Sequence, residues 1–340
     1  MGKRNAIDVV LLLFVSILTI GQKANHPSNP APLVLTGAIP LPNVAGRIDH
    51  FAFGPDNQLF LSALGNNTEE VISLGMQKVV RTITGVPAPQ GVVYSPETNK
   101  LFVGSDEGKL YIYDGAKFDL ITSIDFGDDV DNLRYDASQK RVYVGFGDGE
   151  SAAIGMVDAE SNRRLPQEYK VGAHPESFQM EQSGTNIYVN VPELEQIVVV
   201  DRATGKVSRW PISFGGNFPM AIDESDHRLF VATRNPARMA VFDTTTGKLV
   251  TALPCVQDSD DIYYDAERKR IYASGGEGFI SVFQQTDADH YEAVAKIATA
   301  VGARTSAYSG KVGKKAFDRL YVAVPARAER GAEVLIYTVQ

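Results

Sequence analysis

The sequence predicts an all-β protein, a seven-bladed β-propeller of four-stranded antiparallel blades, and three observations support this prediction. The first is a short phrase that recurs along the chain, in which a basic or polar residue precedes an alternating apolar strand that carries an aromatic residue. The aromatic residues of the successive phrases are Phe60, Phe102, Tyr143, Tyr188, Phe230, Tyr272 and Tyr321. Their separation of roughly 40–50 residues is the period of a solenoid, a propeller or an array.

The second observation is the content of each repeat. Residues 91–94, 100–104, 109–114 and 120–124, for example, form four short alternating segments separated by turn-forming residues, without helical periodicity. Four such strands joined by hairpins make a blade, and a closed ring of blades leaves only short strand edges. The composition, 44% hydrophobic and 22% charged with 30 glycines, is that of a folded globular protein.

The third observation concerns the two ends of the repeat region. The last repeat has three strands and finishes with the segment 333–339. An apolar segment at 34–39 precedes the first repeat and is typical of a closing strand. We therefore expect this N-terminal strand to complete the seventh blade and close the ring. Residues 33–340 are then a single propeller domain, although a length of 340 residues would allow two domains.

The N-terminal segment has the pattern of an export signal. Lys3 and Arg4 precede an apolar run at 9–20, which is shorter than the roughly 20 residues that span a bilayer. Residues 1–22 are predicted to be a signal peptide, with a short uncleaved anchor as the alternative, and 23–32 a linker. The protein is expected to be exported, to the periplasm or the extracellular space, with no stable membrane span beyond this segment.

Charge and cysteine content exclude several classes of protein. The chain has 33 Lys and Arg against 41 Asp and Glu, a formal net charge of −8 at pH 7, and no dense basic run. Nucleic acid is therefore not an expected partner, because phosphate neutralisation needs clustered basic residues. Cys255 is the only cysteine, so an internal disulfide, a cysteine-based metal cluster and covalent attachment of a c-type haem are excluded.

Two sequence features carry a family resemblance. Arg-x-Tyr-Val strands recur, and the turn pattern Asp-x-x-Thr-Gly-Lys occurs at 201–206 and at 243–248. Together with longer phrases such as Gly-Arg-Ile-Asp-His at 46–50, they make residues 33–340 resemble the YVTN-repeat, YncE-like β-propellers of bacteria. The resemblance implies an exported propeller of unassigned function, so the function has to be argued from the residues themselves. WD40 proteins are a poorer match, since the chain has one tryptophan and no Trp-Asp dipeptide.

Candidate site residues follow from where the distinctive phrases fall. Each phrase lies just before the innermost strand of its blade, and the loop entering that strand opens onto one face of the central channel. Two histidines and many carboxylates are thus expected to converge on one mouth. The predicted ligand-binding residues are Arg47, Asp49, His50, Gln90, Asp131, Asn132, His174, Glu176, Asn217, Asp260, Asp261 and Arg304. Because like charges held together repel, some must be neutralised by a cation, by arginine or by a raised pKa.

The residue types at this mouth suit a divalent cation. Oxygen ligands favour Ca²⁺ or Mg²⁺, and histidine with carboxylate would also suit Zn²⁺, Mn²⁺ or Fe²⁺. The candidate metal ligands are Asp49, His50, Asn132, Glu176 and Asp261. The alternative is a structural network, in which Asp and Asn cap turns and Arg–Asp pairs tie neighbouring blades together.

Three classes of function remain open. The first is a binding or scaffold propeller, with a small-molecule ligand or a protein partner at the polar, acidic mouth. The second is a metal-dependent hydrolase or lyase of the lactonase type, in which a cation polarises a carbonyl and His50, His174 or Glu176 transfers protons. The third is a redox propeller with a quinone or haem d1-type cofactor, which has the least support because one tryptophan is available for stacking. The sequence therefore leaves open whether the protein is an enzyme.

Overall fold

The computed structural model describes residue 2 and residues 30–310, 318–328 and 330–340. The predicted signal peptide (apart from residue 2) and most of the predicted linker lie outside the described residues, so both remain predictions. Ala31–Gln340 forms one compact unit.

The regular secondary structure of the described residues consists almost entirely of short strands. Numbered in chain order, the strands are β1 (Leu33–Pro40), β2 (Phe51–Phe53), β3 (Gln58–Ala63), β4 (Thr68–Ser73), β5 (Lys78–Thr84), β6 (Pro89–Ser95), β7 (Lys100–Ser105), β8 (Lys109–Asp114), β9 (Leu120–Asp125), β10 (Val130–Asp136), β11 (Arg141–Phe146), β12 (Ala153–Asp158), β13 (Arg163–Arg164), β14 (Tyr169–Lys170), β15 (Ser177–Met180), β16 (Asn186–Val191), β17 (Gln196–Asp201), β18 (Val207–Pro211), β19 (Gly215–Asp223), β20 (Arg228–Asn235), β21 (Ala237–Asp243), β22 (Leu249–Pro254), β23 (Ser259–Asp265), β24 (Arg270–Gly275), β25 (Phe279–Gln285), β26 (Tyr291–Ala298), β27 (Ser306–Ser309), β28 (Arg319–Val324) and β29 (Glu333–Val339). Single-turn 3-10 helices lie between strands at Pro55–Asn57, Leu64–Asn66, Gly149–Ser151 and Pro192–Leu194. Among the described residues there is no helix with the length and apolar character needed to cross a membrane.

The strands form seven antiparallel sheets, which are the blades of a propeller. Blade 1 holds β2–β5, blade 2 holds β6–β9, blade 3 holds β10–β14, blade 4 holds β15–β18, blade 5 holds β19–β22, blade 6 holds β23–β26, and blade 7 holds β27–β29 with β1. In blade 3 the outer strand is divided into β13 and β14, which both pair with β12. The predicted all-β, seven-bladed β-propeller is confirmed.

The N-terminal strand closes the ring. β1 pairs antiparallel with β29, in a register that runs from Leu33 opposite Val339 to Pro40 opposite Glu333. The first and last strands of the propeller therefore share one sheet. The closure predicted from the three-stranded last repeat is confirmed.

The repeated aromatic residues explain why the blades pack. Phe60, Phe102 and Phe230, on the second strands of their blades, are fully buried. Phe230 packs against Tyr264 and Tyr291, with ring centroids 5.2 and 5.7 Å apart. Burying one such side chain contributes about 1.5–3 kcal/mol, so each copy of the repeated phrase adds to the packing between blades.

The repeated Asp-x-x-Thr-Gly-Lys turn joins the third and fourth strands of a blade. The Asp243 carboxylate accepts hydrogen bonds from the backbone N–H groups of Thr245 and Thr246 at 2.9 and 2.8 Å. Gly247 follows with a φ of 70°, a conformation that a residue with a side chain rarely adopts. The hydrogen bonds, led by that of the Thr245 hydroxyl, lower the pKa of Asp243 to about 2. The motif behind the family resemblance is thus a turn motif and not a site.

Candidate functional site at one mouth of the channel

One residue from the start of each innermost strand borders the same end of the channel. These register-equivalent residues are Asp49, Gln90, Asp131, Glu176, Phe218, Asp260 and Arg304. Six of them line a cavity of about 380 Å³. Asp49 lines a narrower space that shares Asp131 and Glu176 with that cavity. Side chains from all seven blades therefore border this mouth, with Phe218 and not the predicted Asn217 from blade 5.

β-Bulges orient two of the acidic side chains toward the mouth of the channel. The register of β10 with β11 shifts between Val130 and Asn132, so Asp131 is the additional residue. The register of β23 with β24 shifts in the same way between Ser259 and Asp261. A bulge breaks the alternation of side chains and redirects the additional residue. Adjacent polar residues of one strand can therefore both face the channel.

The blade 3 bulge is accommodated by a glycine of blade 2. A Cβ placed on Gly91 would lie 2.3 Å from the Asp131 carbonyl oxygen and 3.1 Å from Leu133 Cγ. Only a residue without a side chain allows this approach without a shift of the neighbouring strand. Gly91 thus sets where Asp131 sits in the mouth.

Replacing Gly91 by alanine is expected to lower the free energy of unfolding by about 1–3 kcal/mol, because overpacking forces β10 to move. Chemical denaturation measures this loss. The matched control is Gly75→Ala, since a Cβ on Gly75 would meet no atom within 4 Å. Equal stability of the two variants would contradict the positioning role of Gly91.

His174 lies among carboxylates. Its Nε2 atom is 3.5 Å from Asp131 Oδ2 and 4.0 Å from Glu176 Oε2. Its Nδ1 atom is 3.6 Å from Asp129 Oδ2 and 3.4 Å from Asp148 Oδ1. The ring is thus placed to exchange protons with a carboxylate or to bind a cation through Nε2.

His50 faces the other oxygen of the same aspartate. His50 Nε2 is 3.7 Å from Asp131 Oδ1 and 3.4 Å from Asn132 Nδ2. The neighbouring Asp49 is buried, and its Oδ1 atom accepts a hydrogen bond from Arg47 at 3.0 Å. Two histidines from the loops entering blades 1 and 4 thus meet on one carboxylate of blade 3.

The mouth strongly perturbs the pKa values of its groups. Burial lowers the pKa of both histidines, but Asp131 and the other carboxylates outweigh burial and raise it to about 9 for His50 and about 10 for His174. Burial, reinforced by the charge of Asp131, raises the pKa of Glu176 to about 8 and that of Asp129 to about 7. Burial also acts to raise the pKa of Asp131, but the two facing histidines lower it well below its usual range. Such perturbed groups are typical of functional sites.

Two arginines, Arg234 and Arg304, form ion pairs on the side of the mouth that blades 5, 6 and 7 provide. Arg304 Nη1 contacts Asp258 Oδ1 at 3.0 Å, and Arg304 Nε contacts Asp260 Oδ2 at 2.6 Å. Arg234 also pairs with Asp260, and its guanidinium carbon lies 3.4 Å from the centroid of the Phe218 ring. These pairs tie blades 5, 6 and 7 together. These ion pairs match the structural network of Arg–Asp pairs between blades that the sequence analysis gave as the alternative to a cation site.

Two predicted metal ligands have their oxygen atoms engaged by protein groups. Arg134 donates to Asn132 Oδ1 at 2.5 Å. Tyr263 donates to Asp261 Oδ1 at 3.2 Å, and the Ser306 backbone N–H donates to Asp261 Oδ2 at 2.7 Å. Burial raises the pKa of Asp261 to about 7. Both residues lie beside His50, but the atoms that would bind a cation already have partners.

The two predicted amide residues of blades 2 and 5 have different surroundings. Gln90 borders the cavity and donates to Asp129 Oδ1 at 3.0 Å. Asn217 is fully buried, and its amide donates to Asn190 Oδ1 at 3.1 Å and to the Gln196 carbonyl at 3.0 Å. Asn217 thus ties blade 5 to blade 4 and does not border the 380 Å³ cavity.

Sequence reasoning missed two arginines of the channel. Arg134 lies two residues after Asn132 on β10, so strand alternation could have placed it on the same side. Arg234 lies near the end of β20, which is not an innermost strand. A longer strand in this repeat could have indicated that Arg234 reaches the channel, since β20 extends past the Val-Ala pair that ends the repeated phrase. Asp129, in the loop before β10, completes the surroundings of His174.

The described residues thus define a seven-bladed β-propeller with a charged site at one mouth. A chain of a structure titled "Crystal Structure of Mitotic Checkpoint Complex" is similar, with a TM-score of 0.75, 12% identity, and coverage of 97% of this chain and 99% of that chain. A chain of the Kuenenia stuttgartiensis hydrazine synthase is also similar, with a TM-score of 0.69, 16% identity, and coverage of 85% and 94%. At these identities the likeness shows the fold alone. No family model and no curated protein matches the chain.

Proposed function

We propose that this propeller is a binding protein that takes a positively charged ligand into the acidic mouth of its channel. The observation that carries the proposal is the convergence of side chains from all seven blades on one cavity. Propellers commonly use such a surface for ligands or partners, so the fold supports a binding or scaffold role in general. A protein partner at the same mouth is the alternative occupant.

The charge balance of the mouth favours a cationic ligand. The carboxylates there are Asp49, Asp106, Asp129, Asp131, Asp148, Glu176, Glu193, Asp258, Asp260 and Asp261. They outnumber the arginines Arg47, Arg134, Arg234, Arg304 and Arg327 even when both histidines are counted as protonated. Carboxylates held this close repel one another, and a bound cation relieves the repulsion. The surplus of carboxylate lies on the side of the histidines, where no arginine pairs with Asp131 or Glu176 among the described ion pairs.

Calorimetric titration of the purified chain with Mg²⁺, Ca²⁺, Mn²⁺, Zn²⁺ and spermidine tests this function. We expect at least one of these probes to bind, and Glu176→Gln to weaken it at least tenfold, a loss of about 1.4 kcal/mol. Glu292→Gln, which removes a carboxylate from the exposed outer strand β26, is expected to bind like the wild type. If no probe binds, or if Glu176→Gln binds as tightly as the wild type, the proposed function is wrong.

A metal-dependent hydrolase or lyase is the second candidate. His174 Nε2 lies within 4.0 Å of both Asp131 and Glu176, so a bound cation and a proton-transferring group would be adjacent. The pKa of Glu176, near 8, suits a group that changes protonation near neutral pH. Metal-dependent opening of a lactone by the wild type but not by Glu176→Gln would favour this function over binding alone.

Family membership and export are also proposals. The Arg-x-Tyr-Val strands and the Asp-x-x-Thr-Gly-Lys turns support a YncE-like propeller. The basic start and the apolar run at 9–20 support export to the periplasm or the extracellular space. N-terminal sequencing of the protein recovered from a periplasmic fraction tests the export.

A further inference from the structure

The two oxygens of one carboxylate each face a histidine at a similar distance, which is longer than a hydrogen bond between charged groups. Asp131 Oδ1 lies 3.7 Å from His50 Nε2, and Asp131 Oδ2 lies 3.5 Å from His174 Nε2. A direct hydrogen bond between charged groups has a length of about 2.7–2.9 Å. Two ligands of one cation, in contrast, lie about 3.4 Å apart when bonds of about 2.1 Å meet at a tetrahedral angle. Both distances fit a shared cation better than a direct contact.

Each of these pairs has a further carboxylate beside it. Asp49, His50 and Asp131 each present one ligand atom, and these atoms lie within 4.8 Å of one another. Asp131, His174 and Glu176 form a second such group. The two groups share Asp131, and each combines one imidazole with two carboxylates.

A buried oxygen without a partner points independently to a cation. The Asp49 side chain is 5% exposed, and its Oδ2 atom has no hydrogen-bond partner, whereas Oδ1 is held by Arg47. Burying an unpaired carboxylate oxygen costs free energy that a bound cation would recover. Asp49 borders the narrow space that His50 and Asp131 also border. Asp49 is also a member of the first of the two groups.

The orientation of the His174 ring also supports a bound cation. Its Nδ1 atom lies 3.3 Å from the Gly147 carbonyl oxygen, which can accept the Nδ1 proton. The Nε2 atom is then left for Asp131 and Glu176. Metal-binding histidines are commonly oriented in this way, by a carbonyl or carboxylate on the ring nitrogen that does not bind the metal.

We propose that the mouth holds two divalent cations side by side, bridged by the Asp131 carboxylate. One cation is held by Asp49, His50 and Asp131, and the other by Asp131, His174 and Glu176. The mixed imidazole and carboxylate ligands select Mn²⁺, Fe²⁺ or Zn²⁺ over Ca²⁺ and Mg²⁺, whose protein sites consist of oxygen ligands. This inference rests on the proposed binding function and specifies its ligand.

Titration of the chelator-treated full chain with Mn²⁺, followed by calorimetry and electron paramagnetic resonance, tests the proposal. We expect two Mn²⁺ per chain and a spectrum of two exchange-coupled ions, since a shared carboxylate couples their spins. His174→Gln is expected to weaken one position at least tenfold and to leave one Mn²⁺ per chain. Asp131→Asn is expected to abolish the coupling and to weaken both positions. The control variant Glu292→Gln keeps two coupled ions.

One Mn²⁺ per chain in the wild type, or two ions without coupling, overturns the two-cation proposal. Unchanged binding in a folded Asp131→Asn variant overturns it as well. If Asp131→Asn does not fold, as judged by circular dichroism, the stoichiometry of His174→Gln decides. Binding of a single cation or of spermidine that depends on Glu176 would leave the proposed binding function intact while the two-cation centre fails.

Discussion

Removal of Leu33–Pro40 is expected to destabilise the whole propeller and not one end of it. These residues form β1, the outer strand of blade 7, and pair with β29. Leu33 and Ile39 are buried, and each contributes about 1.5–3 kcal/mol through its burial. The deletion also leaves β29 as an unpaired edge. The expected loss of about 3–6 kcal/mol is a large part of the roughly 5–15 kcal/mol that stabilises a typical folded protein.

Urea unfolding followed by circular dichroism measures this loss as a single transition at a lower urea concentration. Ile39→Ala provides a milder test, with an expected cost of about 2–5 kcal/mol because Ile39 is fully buried. Val34→Ala is the matched control on the same strand, since Val34 is 41% exposed. The closure would not hold the ring together if the deletion or Ile39→Ala left the unfolding midpoint unchanged.

The chelator-treated protein is expected to lose stability as the pH rises from about 5 to about 10. The folded-state pKa values are raised to about 7 for Asp129 and Asp261, about 8 for Glu176, about 9 for His50 and about 10 for His174. A group with a raised folded-state pKa stabilises the protein fully below its unfolded-state pKa, about 4 for a carboxyl and 6.5 for an imidazole. That contribution is lost as the pH passes the folded-state value. All five groups act in the same direction.

Denaturant unfolding at several pH values in the presence of chelator measures this slope. The double variant His50→Gln, His174→Gln removes the imidazole contribution, so its stability is expected to change less between pH 8 and pH 10. Asp131 does not oppose the trend, because its lowered pKa makes its contribution fall only in strong acid. Stability that stays constant or rises from pH 6 to pH 9 would show that these groups are not held as the structure places them.

Most of the fold could be predicted from the sequence, because a propeller is built from local patterns. Each blade needs alternating strands, tight turns and a buried aromatic residue, and all three are visible within about 40 residues. The closing strand could be predicted because the last repeat has three strands. The division of the outer strand of blade 3 into β13 and β14 was not predicted, since this repeat departs from the pattern only in its least buried strand.

Several residues of the mouth could be located from the sequence, but Arg134, Arg234 and the arrangement of the side chains were not predicted. The seven repeats can be aligned on the last residue of each innermost strand. Residues at the same distance before that point, such as Asp131 and Glu176, are then expected at the same mouth. The bulge that brings Asp131 into the channel depends on the neighbouring blade, as Gly91 shows. The distances from the two Asp131 oxygens to His50 and His174 depend on how blades 1, 3 and 4 are arranged around the channel. Sequence separation carries no information about that distance.

The ring closure and the mouth are linked through one short segment. Arg47 and Asp49 lie between β1, which ends at Pro40, and β2, which begins at Phe51. A ligand held by Asp49 therefore restrains the segment that leads directly out of the closing strand. Ligand binding and the pairing of β1 with β29 are then thermodynamically coupled, because detachment of β1 would release the loop that completes the site. The pairing of β1 with β29 closes the ring, and a ligand bound at the mouth is expected to slow amide hydrogen exchange along β1.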